Sequence, residues 1–135
     1  MTDHRQHAEG TIEVKTYTPT TFDERPGAPS MVEIIITEAF SGDISATGAV
    51  RFVQALRPDG GGTFCGIERV DGSLAGRSGS FLLQDAGTFE GSTVEGSWFV
   101  IPRSGTGELA GLRGEGSFGA ELGQQAHWTL DFWFE

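Results

Sequence analysis

A chain of 135 residues with a formal net charge of −10, three Trp, ten Phe and a single cysteine is long enough for one folded domain around one core. So negative a surface repels phosphate backbones and anionic lipid, so no nucleic-acid or membrane partner is expected. Cys65 alone excludes an intrachain disulfide and gives no metal-ligand spacing, and neither a metal nor another cofactor is expected.

Residues 1–9 are polar and read as a flexible tail, ahead of a single β-barrel domain over residues 10–135. His4 and His7 lie in that tail with no third ligand near. The polar start lacks the apolar run of a signal peptide, and no segment approaches the length of a membrane span, so the expected location is the cytoplasm.

Gly10–Thr18 alternates as a half-buried strand, with Ile12, Val14 and Thr16 on one face and Thr11, Glu13, Lys15 and Tyr17 on the other. Pro19–Pro29 carries three prolines and reads as a long excursion. Met31–Phe40 is a β-branched strand whose more apolar face is Val32, Ile34, Ile36, Glu38 and Phe40, which carries Glu38 toward the interior. Ile44–Leu56 places Gly48, Val50, Phe52, Gln54 and Leu56 together. After the turn at Pro58–Gly62, Thr63–Val70 groups Phe64, Gly66, Glu68 and Val70.

Asp71–Leu74 is read as the next turn, and Gly76–Asp85 as a strand with Arg77, Gly79, Phe81 and Leu83 on one face. Gly87–Gly91 turns. Both faces of Thr93–Ile101 are partly apolar, so its parity is open between Trp98 and Phe99. Gly105–Gly116 holds five glycines in twelve residues and reads as a tight crossover between two strands. It is no helix, since each interior Gly costs about 0.5–1 kcal/mol relative to Ala. It is no phosphate cradle either, because no helix follows it. Leu112–Glu121, a turn at Gly123–Gln125 and Ala126–Phe134 close the chain.

About eight strands with turns every ten to fourteen residues predict an all-β fold, a closed eight-stranded antiparallel meander barrel, with a two-sheet sandwich as the alternative. If Asp71–Leu74 forms the loop, Glu68 faces Arg77 on the apolar face, an ion pair inside the barrel. Glu68 and Arg77 are therefore the candidate catalytic pair, Glu68 as acid/base or polarising group and Arg77 as its orienting partner. Glu38, Phe52, Gln54, Phe81 and Trp98 are the candidate pocket residues, with His127 at the rim. The same pair also reads as a purely structural one, which typically costs about 3–5 kcal/mol to break. Cys65 falls on the opposite face from Glu68.

The strings Phe40-Ser41-Gly42-Asp43, Gly66-Ile67-Glu68-Arg69, Gly76-Arg77-Ser78-Gly79-Ser80-Phe81 and Ser104–Gly114 resemble a family of small bacterial proteins of unknown function with an allene oxide cyclase-like barrel. The glycine crossover is more loosely similar to the Gly-Thr-Gly loop of plant allene oxide cyclases and dirigent proteins. The resemblance implies a closed eight-stranded barrel and, in the plant relatives, trimers. Those relatives steer a reactive intermediate into one product within an apolar barrel, and none of their active-site motifs maps onto this chain. The expectation is a barrel that binds a small apolar or aromatic molecule, with cyclase or isomerase activity if it is catalytic. The alternative is a non-catalytic binding or structural barrel. Trp128 and Trp133, on opposite faces of the last strand, predict a homo-oligomer, a dimer or trimer.

Overall fold

The computed structural model describes residues 4–121 and 124–135. Residues 1–3 of the expected tail and Gly123 of the expected last turn lie outside the described residues. Eight strands run in sequence order: β1 (Gln6–Asp23), β2 (Ser30–Gly42), β3 (Ile44–Leu56), β4 (Gly62–Leu74), β5 (Arg77–Glu90), β6 (Thr93–Val100), β7 (Leu112–Glu121) and β8 (Ala126–Phe134). Each pairs antiparallel with the next, and β1 pairs with β8, so the sheet closes into a barrel. Closure follows from the pattern: a single strongly coiled sheet buries one face against itself and leaves no long edge. Among the described residues, no helix is long and apolar enough to cross a membrane.

Two expectations near the N-terminus are revised. Gln6–Glu9 belong to β1 rather than a tail, because they pair with Phe132–Thr129 of β8 and Ala8 packs fully buried in the core. Pro19 also lies in β1, opposite Ile34. The sheet tolerates it there because β8 pairs only with Gln6–Ile12, so the strand beyond Ile12 has β2 as its one neighbour. A bulge at Lys15 shifts the register between Val14 and Thr16. The shift reverses the parity read for the end of the strand: Tyr17 pairs with inward Ile36, and Thr16 lies outside, 2.5 Å from Thr37 across the hydroxyls.

The β1–β2, β3–β4 and β5–β6 connections gather at one end of the barrel, with the end of β7 and the start of β8. The other end is filled. Phe40, Ile44, Leu74, Phe81, Leu83, Val100, Leu112, Trp128, Leu130 and Phe132 form the core there. Trp128 thus faces inward, fully buried. Trp133 faces out under the Arg5 guanidinium, 4.2 Å from its ring centre.

The glycine crossover closes this filled end. β6 covers β5 only from Leu83 to Glu90, which would leave the first half of β5 as an open edge. The crossover supplies the missing partners. Thr106 N–H donates to Ser80 O at 2.8 Å, Ser80 N–H donates to Thr106 Oγ1 at 3.0 Å, and Leu82 N–H donates to Ser104 Oγ at 3.0 Å. A short 3-10 turn, Gly107–Leu109, then drops Leu109 into the base of the core, where it is 1% exposed. Glycine is needed for close approach here: a Cβ on Gly79 would stand 2.0 Å from Thr106 O, and one on Gly105 1.9 Å from Leu109 O.

Candidate functional site

The strands that leave the filled end also enclose a cavity of about 640 Å³ at the other, within the usual range for a small-molecule site. Its walls arise from a repeated local pairing. On each of four strand pairs, a large inward side chain lies over a glycine directly opposite: Glu38 over Gly48, Phe52 over Gly66, Phe64 over Gly87, and Phe118 over Gly96. The fit is tight. A Cβ on Gly96 would meet the Phe118 ring at 2.2 Å, and one on Gly87 would meet Phe64 at 2.6 Å. These glycines seat the rings flat against the wall, so the space in front of them stays open.

The rings form a chain of contacts around the interior. Phe52 and Phe64 have centroids 5.1 Å apart, Phe64 and Phe118 6.1 Å, Phe118 and Trp98 4.9 Å, and Trp98 and Phe40 6.2 Å. Trp98 is fixed by its indole N–H, which donates to Thr129 O at 2.9 Å. Burial settles the parity of β6: Trp98 and Val100 face in, 4% and 1% exposed, and Phe99 faces out, 42% exposed.

The polar groups sit where the open half meets the packed core. Glu38, Glu68 and Asp85 project inward from β2, β4 and β5, and they are 9%, 1% and 1% exposed. Glu68 Oε2 and Asp85 Oδ1 have no hydrogen-bond partner. Gly48 provides the room for this cluster, since a Cβ there would stand 2.4 Å from Glu68 Oε2. Burial holds the Glu68 carboxyl well above the usual carboxylate range, and hydrogen bonding to Glu38 and the charges of Glu38 and Asp85 push it the same way. Burial also raises Asp85 to about 8, with the Glu38 charge adding to it. Near neutral pH Asp85 is therefore an acid rather than a carboxylate, and Glu68 is shifted in the same direction. Among the described residues, no group of three His, Cys, Asp or Glu is arranged to hold a metal ion.

The expected site residues separate into three sets. Glu38, Glu68, Phe52, Gln54 and Trp98 all line the cavity. Phe81 is buried in the filled core and does not reach the cavity, because its inward position falls on the closed half of β5. Arg77 and His127 lie outside. Glu68 stands opposite Leu83, and Arg77 opposite Leu74. The β4–β5 turn is Ala75-Gly76, both with positive φ, the pattern of a two-residue type I′ hairpin turn, rather than Asp71–Leu74. The Asp-Gly signal at Asp71-Gly72 is a strand segment instead, where Gly72 lets β4 approach Ser45 of β3. Arg77 is therefore exposed at the filled end, with its guanidinium 4.3 Å from the Phe134 ring centre. His127 alternates with inward Trp128 and faces solvent.

The register correction has a measurable consequence. Arg77→Ala should lower unfolding free energy by less than about 1 kcal/mol in urea titration, the scale of an exposed cation–π contact. A loss of about 3–5 kcal/mol would instead mean a buried ion pair.

Asp85, Phe64, Phe118 and Tyr17 line the cavity and were not among the expected site residues. Asp85 was legible in principle. It continues the Gly79, Phe81, Leu83 alternation by one more step, at the last position of the expected strand, whereas β5 continues to Glu90. Tyr17 was hidden by the bulge.

A family model described as a protein of unknown function, DUF3224, matches residues 8–132. A crystal structure of a DUF3224-family protein of unknown function from Shewanella oneidensis MR-1 is 30% identical to this chain. It superposes with a TM-score of 0.83, covering 98% of this chain and 99% of that one. No curated protein matches.

Proposed function

The chain belongs to the DUF3224 family of proteins of unknown function, and on that footing we propose that it binds one small apolar or aromatic molecule inside the barrel. The observation that carries this reading is the half-open interior, a cavity of about 640 Å³ walled by aromatic rings and floored by buried acids. A barrel built only for structure would fill this space, because voids cost stability. Three buried acids without a cation beside them are likewise a poor structural choice.

The floor also suits proton transfer. An acid at Glu68 or Asp85 can give a proton to a substrate atom while a neighbouring carboxylate takes one back, which leaves no net proton change. Isomerisation and cyclisation have that balance, and they need neither a nucleophile nor a cofactor. In this reading Glu68 or Asp85 gives the proton and Glu38 beside them accepts one, and Phe52, Phe64, Phe118 and Trp98 shape the substrate.

A neutral fluorescent probe, N-phenyl-1-naphthylamine, tests the binding step. It should brighten on binding at about one molecule per chain and quench Trp98 emission. Ala120→Trp, at the cavity wall, should abolish both effects while the melting curve stays cooperative. Absence of probe binding, or equal binding by Ala120→Trp, would place any ligand elsewhere.

A further inference from the structure

The cavity is lined by four acidic side chains: Glu38, Glu68 and Asp85 at the floor and Glu121 toward the mouth. Among the described residues, no Lys, Arg or His lines it. The aromatic walls add to the same sign, because a ring presents its negative face to whatever lies over it. Two buried oxygens, Glu68 Oε2 and Asp85 Oδ1, lack a hydrogen-bond partner, and both belong to side chains that line the cavity. A buried polar atom left without a partner is costly, so this pair marks where a ligand's polar end belongs.

We propose that the ligand is an organic ammonium, a monocation with an apolar body, seated with its nitrogen on Glu68 and Asp85 and its body among Phe52, Phe64, Phe118 and Trp98. This rests on the small-molecule reading of the cavity and adds the charge of the ligand. An ammonium carries two or three N–H donors, enough to satisfy both orphan oxygens and Glu38 beside them. Its charge lets a floor acid ionise beside its acidic neighbours, because it offsets the repulsion that the new carboxylate would meet, which a neutral ligand cannot do. Its apolar body gains cation–π and contact energy from rings already fixed in place. A ligand carboxylate or phosphate would meet only like charge. The net charge of −10 draws cations toward the protein and favours their encounter with the mouth.

A matched series separates charge from shape: 4-phenylbutylamine, 4-phenylbutanol, 4-phenyl-2-butanone and 4-phenylbutanoate, titrated calorimetrically into the full-length protein. The amine should bind at least about tenfold tighter than the alcohol and the ketone, and the butanoate should not bind. Near pH 7 the amine should also release close to one proton per chain, read from paired buffers of different ionisation heat, because the cation converts a floor acid to a carboxylate. Its affinity should then rise up to about tenfold per pH unit between about pH 6 and pH 8. Glu38, Glu68 and Asp85 are the titratable groups that face one another at this floor.

Glu68→Gln and Asp85→Asn keep the shape of the side chains and remove their ability to ionise. Each should reduce the amine's advantage over the alcohol to within about threefold and lower the proton release, with a melting curve that stays cooperative. Tighter binding of the ketone, equal binding of the butanoate, or amine binding without proton release would overturn the ammonium assignment and leave the cavity reading intact. No binding by any member, together with no binding of the neutral probe, would overturn both.

Discussion

The unliganded protein should lose stability steadily as pH rises from about 4 to about 8, and Asp85→Asn should remove much of that loss. The sign follows from proton counts. In the unfolded chain Asp85 ionises near its ordinary value of 3.8; in the folded protein it holds its proton to about 8. Between those values the folded state binds more protons, so unfolding free energy falls with pH. The slope approaches about 1.4 kcal/mol per pH unit for each fully buried acid, and it ends once the folded group itself ionises. Glu68 is raised for the same leading reason, burial, and contributes in the same direction over the window above its ordinary 4.5.

Urea unfolding at pH 5, 6, 7 and 8 measures this directly. The native protein should lose several kcal/mol across the series. Asp85→Asn and Glu68→Gln should each flatten the profile and be the more stable proteins at pH 8. A flat profile in the native protein would mean that the carboxyls are ionised and solvated. Ligand then acts in the opposite sense: an ammonium that pairs with the ionised floor should restore stability most at the alkaline end.

Leu109→Ala should lower unfolding free energy by about 3 kcal/mol and the melting temperature by roughly 10 °C, the second large effect. Leu109 is the core side chain of the segment between β6 and β7 and is 1% exposed. Its removal leaves a hole at the base of the filled half, and the crossover cannot collapse into it. Ser104 and Thr106 hold that segment to β5 through hydrogen bonds to Leu82 and Ser80. The cavity lies at the opposite end, so probe affinity should be retained at temperatures where the variant is folded. A melting temperature within about 2 °C of the native protein would mean that the crossover does not seal the base.

The two effects come from parts of the chain that differed in how readable they were. The glycine crossover was legible because glycine density at Gly105–Gly116 admits few structures. The floor was legible only in part. Glu38 and Glu68 were placed inward by alternation alone, since each lies on the more apolar face of its strand. Pairing Glu68 with Arg77 needed the turn as well, and the strongest local turn signal, Asp71-Gly72, was the wrong one. A strand can accept Gly where a neighbouring backbone comes close, as Gly72 does beside Ser45, and nothing local distinguishes that use from a turn.

What the sequence determined by itself was the alternation, the number of strands and the closed meander they form. Side chains of period two with one apolar face have few ways to hide it, and turn residues at even spacing make neighbours of consecutive strands. Inward position along each strand followed from the same rule wherever no bulge intervened.

What only the tertiary structure decided was register and depth. Register set Glu68 opposite Leu83, turned Arg77 to solvent and brought Tyr17 into the cavity past the Lys15 bulge. Depth left Phe81 in the packed half and Phe52, Phe64, Phe118 and Trp98 around open space. Both depend on contacts between residues far apart in the chain: a turn two residues longer or shorter slides a whole strand, while the alternation that local sequence encodes stays the same.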